Sequence, residues 1–253
     1  MKDLFSLAGK YIIVTGGTRG IGRAISTRLA SAGAHVLANH VRDIKSADAF
    51  SETIKKEKLR IDICRADITH QSGMETLISE AQYAGQPVSG LVHCAATGVH
   101  RPIGQLTLRH FDWTFDLNVK AYLDLVQRLL SMFAPGASIV AISSSGADRA
   151  AATYSLIGAS KGALESLSRH LALELADKKI RVNVLSPGAV MTDAWGVLPN
   201  REERLNERIR RSPNKRLTTV DEVAWAAQFL CSDASSGING HTLVVDGGEK
   251  IVE

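Results

Sequence analysis

The sequence lacks the long apolar runs, the internal repeats and the paired cysteines that mark several large classes of protein. No stretch of its 253 residues approaches the roughly 18 apolar residues of a membrane-spanning helix, so no membrane association is expected. A secretory signal is not expected either, because Lys10 would interrupt its apolar region. Three cysteines, Cys64, Cys94 and Cys231, are odd in number and lack metal-ligand spacing. They indicate reduced thiols, no metal site and a cytoplasmic location.

Basic and acidic residues are nearly balanced along most of the chain, which has 30 basic and 26 acidic residues. The exception is a basic block at 201–216, with seven basic and three acidic residues. It is either a solvated helix face or a docking patch for an acidic protein or a phosphate-bearing substrate. No nucleic-acid motif accompanies the block, so nucleic-acid binding is not expected.

Short β-branched runs alternate with longer helix-like stretches, such as 20–31, 106–132 and 154–176. This alternation favours βαβ units and a parallel sheet with helices on both faces. We therefore expect an α/β fold, a single Rossmann-type domain over residues 1–253 with a doubly wound parallel sheet of about seven strands. The predicted strands are Tyr11–Thr15, His35–Asn39, Arg60–Cys64, Gly90–Cys94, Ser138–Ser143, Arg181–Leu185 and Thr242–Val245.

Glycines cluster where the first predicted strand meets the first predicted helix. Gly16, Gly20 and Gly22 allow a tight turn, close approach of the backbone to a pyrophosphate, and close packing of helix on strand. The helix N-terminus then offers free N–H groups and the positive end of its dipole to the phosphates. Because the cluster ends a strand and opens a helix, it predicts a dinucleotide site rather than merely a tight turn.

The spacing Gly-x3-Gly-x-Gly resembles that of the short-chain dehydrogenase/reductase family, and the resemblance covers nearly the whole chain. Matching positions are Asp67, Asn118, Ser144, Lys161, Pro187-Gly188 and Asp246-Gly247-Gly248. The resemblance implies a nicotinamide cofactor whose adenine contacts Asp67, and a homotetramer with the segment 242–248 at an interface. The cofactor-binding positions it implies are Gly16, Thr18, Arg19, Gly20, Ile21, Gly22, His40, Arg42, Asp67, Ile68, Ala95, Lys161, Pro187, Gly188, Val190 and Thr192.

Charge around the second predicted strand favours one nicotinamide cofactor. An acidic residue about 20 positions beyond the glycines accepts a hydrogen bond from the 2′-hydroxyl of NAD and repels a 2′-phosphate. Here the first acid after that strand is Asp43, which comes too late to face the ribose. Arg19 and Arg42 can hold a phosphate through charge-assisted hydrogen bonds. The sequence therefore predicts NADPH.

The catalytic spacing is unusual for the family. Most members carry Tyr-x3-Lys, but here Ile157 occupies the position four before Lys161, and the nearest tyrosine is Tyr154. Seven residues turn a helix by about 700°, so Tyr154 and Lys161 share a face, with the tyrosine about 4.5 Å further along the axis than usual. That offset suits reduction of an α,β-unsaturated thioester, in which hydride reaches Cβ while charge develops on the thioester oxygen. The alternative is that Tyr154 is a surface aromatic of a degenerate enzyme.

The same spacing is found in enoyl-acyl-carrier-protein reductases, and further segments resemble the NADPH-dependent type called enoyl-ACP reductase III. The resemblance implies that Tyr154 polarises the thioester carbonyl and that Lys161 binds the ribose and lowers the tyrosine pKa. Two interpretations of Ser144 stay open: it hydrogen-bonds the substrate oxygen, or it is a polar residue that fills space. Two also stay open for Asn118: it supports a water-linked proton path to Lys161, or it makes a hydrogen bond inside its helix that shapes the backbone. An upstream tyrosine found in these reductases is replaced by Ala150. The matching segments are 95–99, 101–102, 112–114 and 199–202.

Residues 191–213 are predicted to form a lid over the substrate, with an apolar part for an acyl chain and the basic block beside it. An acyl carrier protein is acidic and carries its substrate on a phosphopantetheine arm, so a basic rim suits this partner; a CoA thioester remains an alternative carrier. The apolar residues are Trp195, Val197 and Leu198, and the docking residues are Arg208, Arg210 and Arg211.

The leading hypothesis is therefore an NADPH-dependent enoyl-thioester reductase of fatty-acid or polyketide biosynthesis. A ketoreductase acting on a 3-oxoacyl thioester or a small ketone is the alternative, and Ile157 argues against it. A cofactor-binding scaffold or sensor without activity is a third hypothesis, which the presence of Lys161, Asn118 and Ser144 makes less attractive.

Overall fold

Seven strands form one sheet in which all strands run in the same direction, in the order β3-β2-β1-β4-β5-β6-β7. The computed structural model describes residues 3–192 and 201–252. The strands are β1 Tyr11–Thr15, β2 His35–His40, β3 Ile61–Arg65, β4 Val88–His93, β5 Phe133–Ile142, β6 Arg181–Pro187 and β7 Thr242–Val245.

Helices cover both faces of this sheet. Alternate residues of β1 belong to different cores: Ile13 packs with α3, α5 and α6, whereas Ile12 and Val14 pack with α1, α2 and α8. A π-helical turn at Asp116–Lys120 joins α4 to α5. The helices are α1 Gly20–Ser31, α2 Ile44–Glu57, α3 Gln71–Tyr83, α4 Leu108–Phe115, α5 Ala121–Leu129, α6 Ser155–Glu174, α7 Arg201–Arg211 and α8 Val220–Cys231.

The predicted fold class is confirmed. The differences lie at strand ends and in the predicted helical stretch 106–132, which is divided into α4, the π-helical turn and α5. β1, α1 and β7 have the predicted bounds, but β6 continues beyond Leu185 because Ser186 and Pro187 pair with Val244 and Val245 of β7. Such pairing with a distant strand leaves no local signal in the sequence. Among the described helices, none combines the length and the apolar character that crossing a bilayer requires.

The strand order reverses between β1 and β4, because the chain extends the sheet from β1 through β2 to β3 and then returns to the other side of β1. At such a point the loops after neighbouring strands diverge and leave a crevice at the carboxyl ends of the strands, where open α/β sheets bind their ligands. The loops after β1, β4, β5 and β6 border this crevice.

Candidate active site

The loop after β1 is packed so closely that its glycines are required. A Cβ on Gly22 would lie 2.0 Å from the carbonyl oxygen of Gly16, and one on Gly16 would lie 3.0 Å from Cα of Ala95. Gly16 and Gly20 have φ values of +64° and +50°, a region open to glycine at no steric cost. Arg19, at the N-cap of α1, makes no side-chain capping hydrogen bond. This geometry fits a dinucleotide pyrophosphate at the start of α1.

Positive charge lies beside the end of β2. Asp43 is the N-cap of α2 and accepts hydrogen bonds from the backbone nitrogen and Oγ of Ser46, at 2.9 and 2.7 Å. These bonds lower the pKa of Asp43, whose carboxylate also lies 3.7 Å from the guanidinium of the largely exposed Arg19. Arg42 is exposed. Asp43 is therefore engaged by its helix and by Arg19, while the charge of Arg42 acts on Asp67, the predicted adenine contact.

The loop after β3 holds the predicted adenine contact. Asp67 accepts hydrogen bonds from the backbone nitrogen and Oγ1 of Thr69, at 3.1 and 2.6 Å. Burial raises its pKa, but these bonds and the charges of His70 and Arg42 outweigh burial, so the pKa is lowered overall and Asp67 is ionised. His40 is buried, and its Nδ1 has no hydrogen-bond partner among the described residues.

Other predicted cofactor positions surround the same crevice. Thr18, Ile68 and Val190 are buried, and Ile21 is partly exposed. Ile68 packs in the hydrophobic core, which leaves its backbone for the predicted contact. Gly188, which follows Pro187, donates to the carbonyl of Val245 at 2.9 Å, and Thr192 approaches the glycine loop, 3.6 Å from where a Cβ of Gly20 would lie.

Thr15, which sequence reasoning missed, ties β1 to β4. Its Oγ1 accepts hydrogen bonds from the backbone nitrogens of Cys94 and Ala95, at 3.2 and 3.1 Å, and lies 3.1 Å from Nδ1 of His93. His93 is fully buried and stacks on Tyr122, and burial lowers its pKa to about 3, so it is neutral. That Thr15 holds the loop after β4 becomes visible only once β1 is seen to pair with β4.

Ser144 and Tyr154 meet at the carboxyl end of β5, with their hydroxyl oxygens 3.2 Å apart. Tyr154 is the N-cap of α6. The preceding Thr153 has a φ of +64°, which is strained for a β-branched residue, and its carbonyl accepts from the backbone nitrogen of Arg101 at 3.1 Å. The chain thus holds Thr153 in a costly conformation that places Tyr154 beside Ser144.

Glycines also make room for the Tyr154 ring. A Cβ on Gly146 would lie 2.3 Å from Cε1 of Tyr154, and one on Gly158 would lie 3.5 Å from its Cδ1. The ring of His100 contacts Tyr154 with centroids 5.3 Å apart. The ring therefore has a defined seat, and the interpretation of Tyr154 as a surface aromatic does not fit it.

Lys161 is buried, and its Nζ donates a hydrogen bond to the carbonyl of Ile142 at 2.7 Å. Burial lowers its pKa to about 8, against the opposing charges of Cys94 and Glu165.

The expectation that Lys161 lowers the pKa of Tyr154 is not what the structure shows. Burial raises the pKa of Tyr154, and the influences that lower it are its hydrogen bond with Ser144 and the charge of Arg208.

Asn118 lies in the π-helical turn and is completely buried. Its Oδ1 accepts from the backbone nitrogen of Thr97 at 2.8 Å, and its Nδ2 donates to the carbonyl of Thr97 at 3.0 Å and to Oγ of Ser160 at 2.9 Å. The side chain therefore joins the loop after β4 to α6, and these three partners all lie outside the turn that carries Asn118. The water-linked proton path to Lys161 stays a prediction.

The structure corrects part of the docking hypothesis. Arg208 of α7 forms an ion pair with the buried carboxylate of Glu249, so its guanidinium is not part of a free basic rim. Arg211 lies 3.9 Å from Glu207 of the same helix. The predicted acyl-chain residues Trp195, Val197 and Leu198 lie outside the described residues.

Sequence comparison relates this site to known reductases. Residues 16–250 match the family described as "Enoyl-(Acyl carrier protein) reductase". L-xylulose reductase of Caenorhabditis elegans is 35% identical over 251 residues, 98% of each chain. D-erythrulose reductase of Gallus gallus is 32% identical over 252 residues, again 98% of each. 1-cyclohexenylcarbonyl-CoA reductase of Streptomyces collinus is 32% identical over 243 residues, covering 95% of this chain and 86% of that protein.

Solved structures share the whole fold. A candidate gluconate dehydrogenase from Agrobacterium tumefaciens superposes with a TM-score of 0.93 at 28% identity, over the full length of both chains. A gluconate 5-dehydrogenase from Burkholderia cenocepacia, solved with NADP and tartrate, superposes with a TM-score of 0.88 at 28% identity, over 99% of each chain. The chain is therefore similar over nearly its entire length to proteins that oxidise or reduce small molecules.

Burial of a charged lysine predicts that Lys161→Met stabilises the cofactor-free protein at pH 7. The pKa of Lys161 is lowered from 10.5 to about 8 on folding, so the unfolded chain binds this proton more tightly and the penalty disappears as pH rises from about 8 to 10.5. Methionine removes the penalty but also the hydrogen bond to Ile142. We expect a gain of roughly 1–2 kcal/mol in the free energy of unfolding at pH 7, measured by urea denaturation.

The gain should shrink towards pH 10, and Lys55→Met, at an exposed position in α2, should show none. A loss of stability at pH 7, or a gain that does not change with pH, would show that Lys161 is not destabilised by burial.

The seat of Tyr154 predicts that Gly146→Ala displaces the ring. The new methyl group would lie 2.3 Å from Cε1, so the ring must move, and misplacement of a catalytic group by about 1 Å costs about 100-fold in rate. We expect turnover to fall between about 10- and 100-fold, while cofactor affinity and melting temperature change little. Gly104→Ala is the matched control, since a Cβ there meets nothing within 4 Å. Equal turnover in both variants would contradict the assignment.

Proposed function

The chain belongs to the short-chain dehydrogenase/reductase family, and we propose that it uses NADPH to reduce the carbonyl group of a small ketone. Membership makes the chain an oxidoreductase. The finer assignment is carried by the Ser144–Tyr154 pair, whose hydroxyl oxygens lie 3.2 Å apart. Two adjacent hydroxyl groups at the edge of the cofactor crevice can both donate to one carbonyl oxygen.

The chemistry divides between cofactor and chain. When bound, NADPH would supply the hydride that adds to the carbonyl carbon. Tyr154 donates its proton to the carbonyl oxygen as general acid, and Ser144 donates a second hydrogen bond that stabilises the negative charge developing there. With a pKa of about 8, Lys161 is mostly protonated at pH 7 and can donate to ribose hydroxyls.

The relatives support reduction of a ketone better than the enoyl reduction that the sequence led us to expect. L-xylulose reductase and D-erythrulose reductase, both near one-third identical over almost the whole chain, are named for ketose substrates. Hydroxylated ketones are therefore the first substrate class to test. A 3-oxoacyl thioester is the second class that offers a carbonyl for the same step.

Enoyl-thioester reduction stays a second candidate because of one specific observation. Ile157 fills the place of the usual tyrosine, so Tyr154 stands seven residues before Lys161, a spacing suited to an oxygen three bonds from the hydride acceptor. The matched family description and the relative named 1-cyclohexenylcarbonyl-CoA reductase also favour this reaction. Its substrate would be carried by CoA or by an acyl carrier protein docked at the exposed part of the basic block.

The assay that decides between these candidates follows NADPH oxidation with three substrates: a ketose such as L-xylulose, a 3-oxoacyl-CoA and a crotonyl-type thioester. We expect turnover of a ketone substrate, a loss of about 100-fold or more in Tyr154→Phe, and a smaller loss in Ser144→Ala. Turnover of the enoyl thioester alone would contradict carbonyl reduction and establish the second candidate. Cofactor binding in each variant, measured by fluorescence, controls for damage to the fold.

The guanidinium groups of Arg19 and Arg42 predict that the protein binds NADPH more tightly than NADH. The double variant Arg19→Gln, Arg42→Gln should lose about 10- to 100-fold in NADPH affinity, the value of one or two charge-assisted hydrogen bonds, and little in NADH affinity. Calorimetric titration of both cofactors measures this. Arg60→Gln, exposed at the opposite edge of the sheet, should change neither. Tighter binding of NADH by the wild type would overturn the proposal.

A further inference from the structure

The loop between β5 and α6, residues 143–154, carries both hydroxyl groups of the proposed active site, and we call it the catalytic loop. Near its start it touches α6, where a Cβ on Gly162 would lie 3.2 Å from the carbonyl oxygen of Ala147. Its outer part, 148–152, is exposed. A cavity of about 350 Å³ is lined by both the loop and α6. Packing on the helix therefore does not fix the outer part of the loop.

Thr153 shows that the loop is nevertheless held in place, because this residue has a costly conformation. Its φ is +64°, a region that β-branched residues avoid. Oγ1 of Thr153 is buried and has no hydrogen-bond partner in the part of the chain that the structure describes, so the side chain does not compensate for the strain. Such a conformation persists only where the surrounding structure enforces it. The next residue is Tyr154, whose hydroxyl lies 3.2 Å from that of Ser144.

One anchor of this conformation follows Thr153 in the site and is short. The carbonyl oxygen of Thr153 accepts a hydrogen bond from the backbone nitrogen of Arg101, at 3.1 Å, which ties it to the loop after β4. A single bond on one side of a residue leaves the other side free to rotate. A second anchor is therefore needed on the part of the catalytic loop that precedes Thr153.

Arg149 supplies this second anchor. Its guanidinium group donates to three carbonyl oxygens of the C-terminal segment 246–252, which belong to Glu249, at 3.3 Å, Val252, at 3.2 Å, and Lys250. A guanidinium group has five N–H donors in a rigid fork, so one side chain can reach several acceptors. These bonds tie the exposed part of the catalytic loop to a segment about 100 residues away in the chain.

The C-terminal segment is itself fixed, so it can hold the loop. Asp246 accepts hydrogen bonds from the backbone nitrogens of Gly248 and Lys250, at 2.9 and 2.7 Å. Glu249 is 6% exposed and forms an ion pair with Arg208 of α7. Breaking such a buried pair is strongly unfavourable. The carbonyl oxygens that Arg149 contacts are therefore presented by an ordered turn.

We propose that Arg149 is a positioning residue: by fastening the catalytic loop to the C-terminal segment, it holds Thr153 in its strained conformation and keeps the Tyr154 hydroxyl beside that of Ser144. Arg149 acts through the backbone of the loop and not on the reacting atoms. This inference rests on the proposed role of Tyr154 as the acid. When the bonds of Arg149 are lost, the loop releases the strain at Thr153, and Tyr154 moves with it.

Hydrogen exchange tests the fastening without substrate. The amide of Tyr154 donates to the carbonyl oxygen of Ala151 at 3.2 Å, and it should exchange about tenfold faster in Arg149→Gln than in the wild type, because the loop opens more easily. Arg128→Gln is the matched control, since it removes an arginine from an ion pair with Asp124 inside α5, and it should exchange at the wild-type rate. Unchanged exchange in Arg149→Gln would overturn the inference.

Thr153→Gly separates positioning from general damage. Glycine adopts a φ of +64° at no steric cost, so a loop with glycine there does not have to be held against strain. Arg149→Gln should lower kcat about tenfold in the otherwise wild-type chain, with KM and cofactor affinity nearly unchanged. In a chain that already carries Thr153→Gly, the same substitution should lower kcat less than about threefold. Equal losses in the two chains would show that Arg149 does not act through Thr153.

Asp246→Ala approaches the same contact from its other side, and it replaces Arg149→Gln if that variant does not fold. Removal of the carboxylate loosens the turn that presents the carbonyl oxygens, so exchange of the Tyr154 amide should again be faster; a wild-type rate would contradict the role of the segment. The exchange measurement needs neither substrate nor cofactor. Failure of the carbonyl-reductase proposal would therefore appear separately, as turnover that survives in Tyr154→Phe.

Discussion

The common direction of all seven strands is the constraint on which the site depends. Because every strand ends at the same edge, segments far apart in the chain deliver their residues to one crevice: the glycine loop after β1, Ala95 after β4, Ser144 after β5 and Gly188 after β6. Parallel strands must be covered on both faces, and α6, which covers one of them, begins at this edge with Tyr154 as its cap. The architecture that buries the sheet also assembles the chemistry.

Much of this could be predicted from local sequence. The β-branched run of β1 and the glycines that follow it gave correct bounds for β1 and α1, because both signals act within a few residues. The meeting of Ser144 with Tyr154 could be anticipated because one ends a strand and the other begins the next helix. The end of β6 could not be predicted from local sequence, since Pro187 joins the sheet only through pairing with β7.

The electrostatics of the site were the least predictable part. A count of charges in the basic block does not distinguish an arginine in solvent from one bound to a buried acid, and Glu249 lies 41 residues from Arg208. Helical geometry places Lys161 and Tyr154 on one face, yet it does not show that Lys161 is engaged by the carbonyl of Ile142. Both the state of Arg208 and the state of Lys161 depend on tertiary contacts, and the spacing of motifs in a sequence does not predict such contacts.

The packing of Ile157 bears on the unusual spacing between Tyr154 and Lys161. The side chain of Ile157 lies directly on the backbone of Gly98, with Cγ1 only 2.2 Å from where a Cβ of that glycine would be, and it is 8% exposed. The position four residues before Lys161 is thus filled by tightly packed hydrocarbon. An aromatic ring at position 157 would require rearrangement around Gly98. The packing around Ile157 therefore favours an arrangement in which the tyrosine lies at position 154.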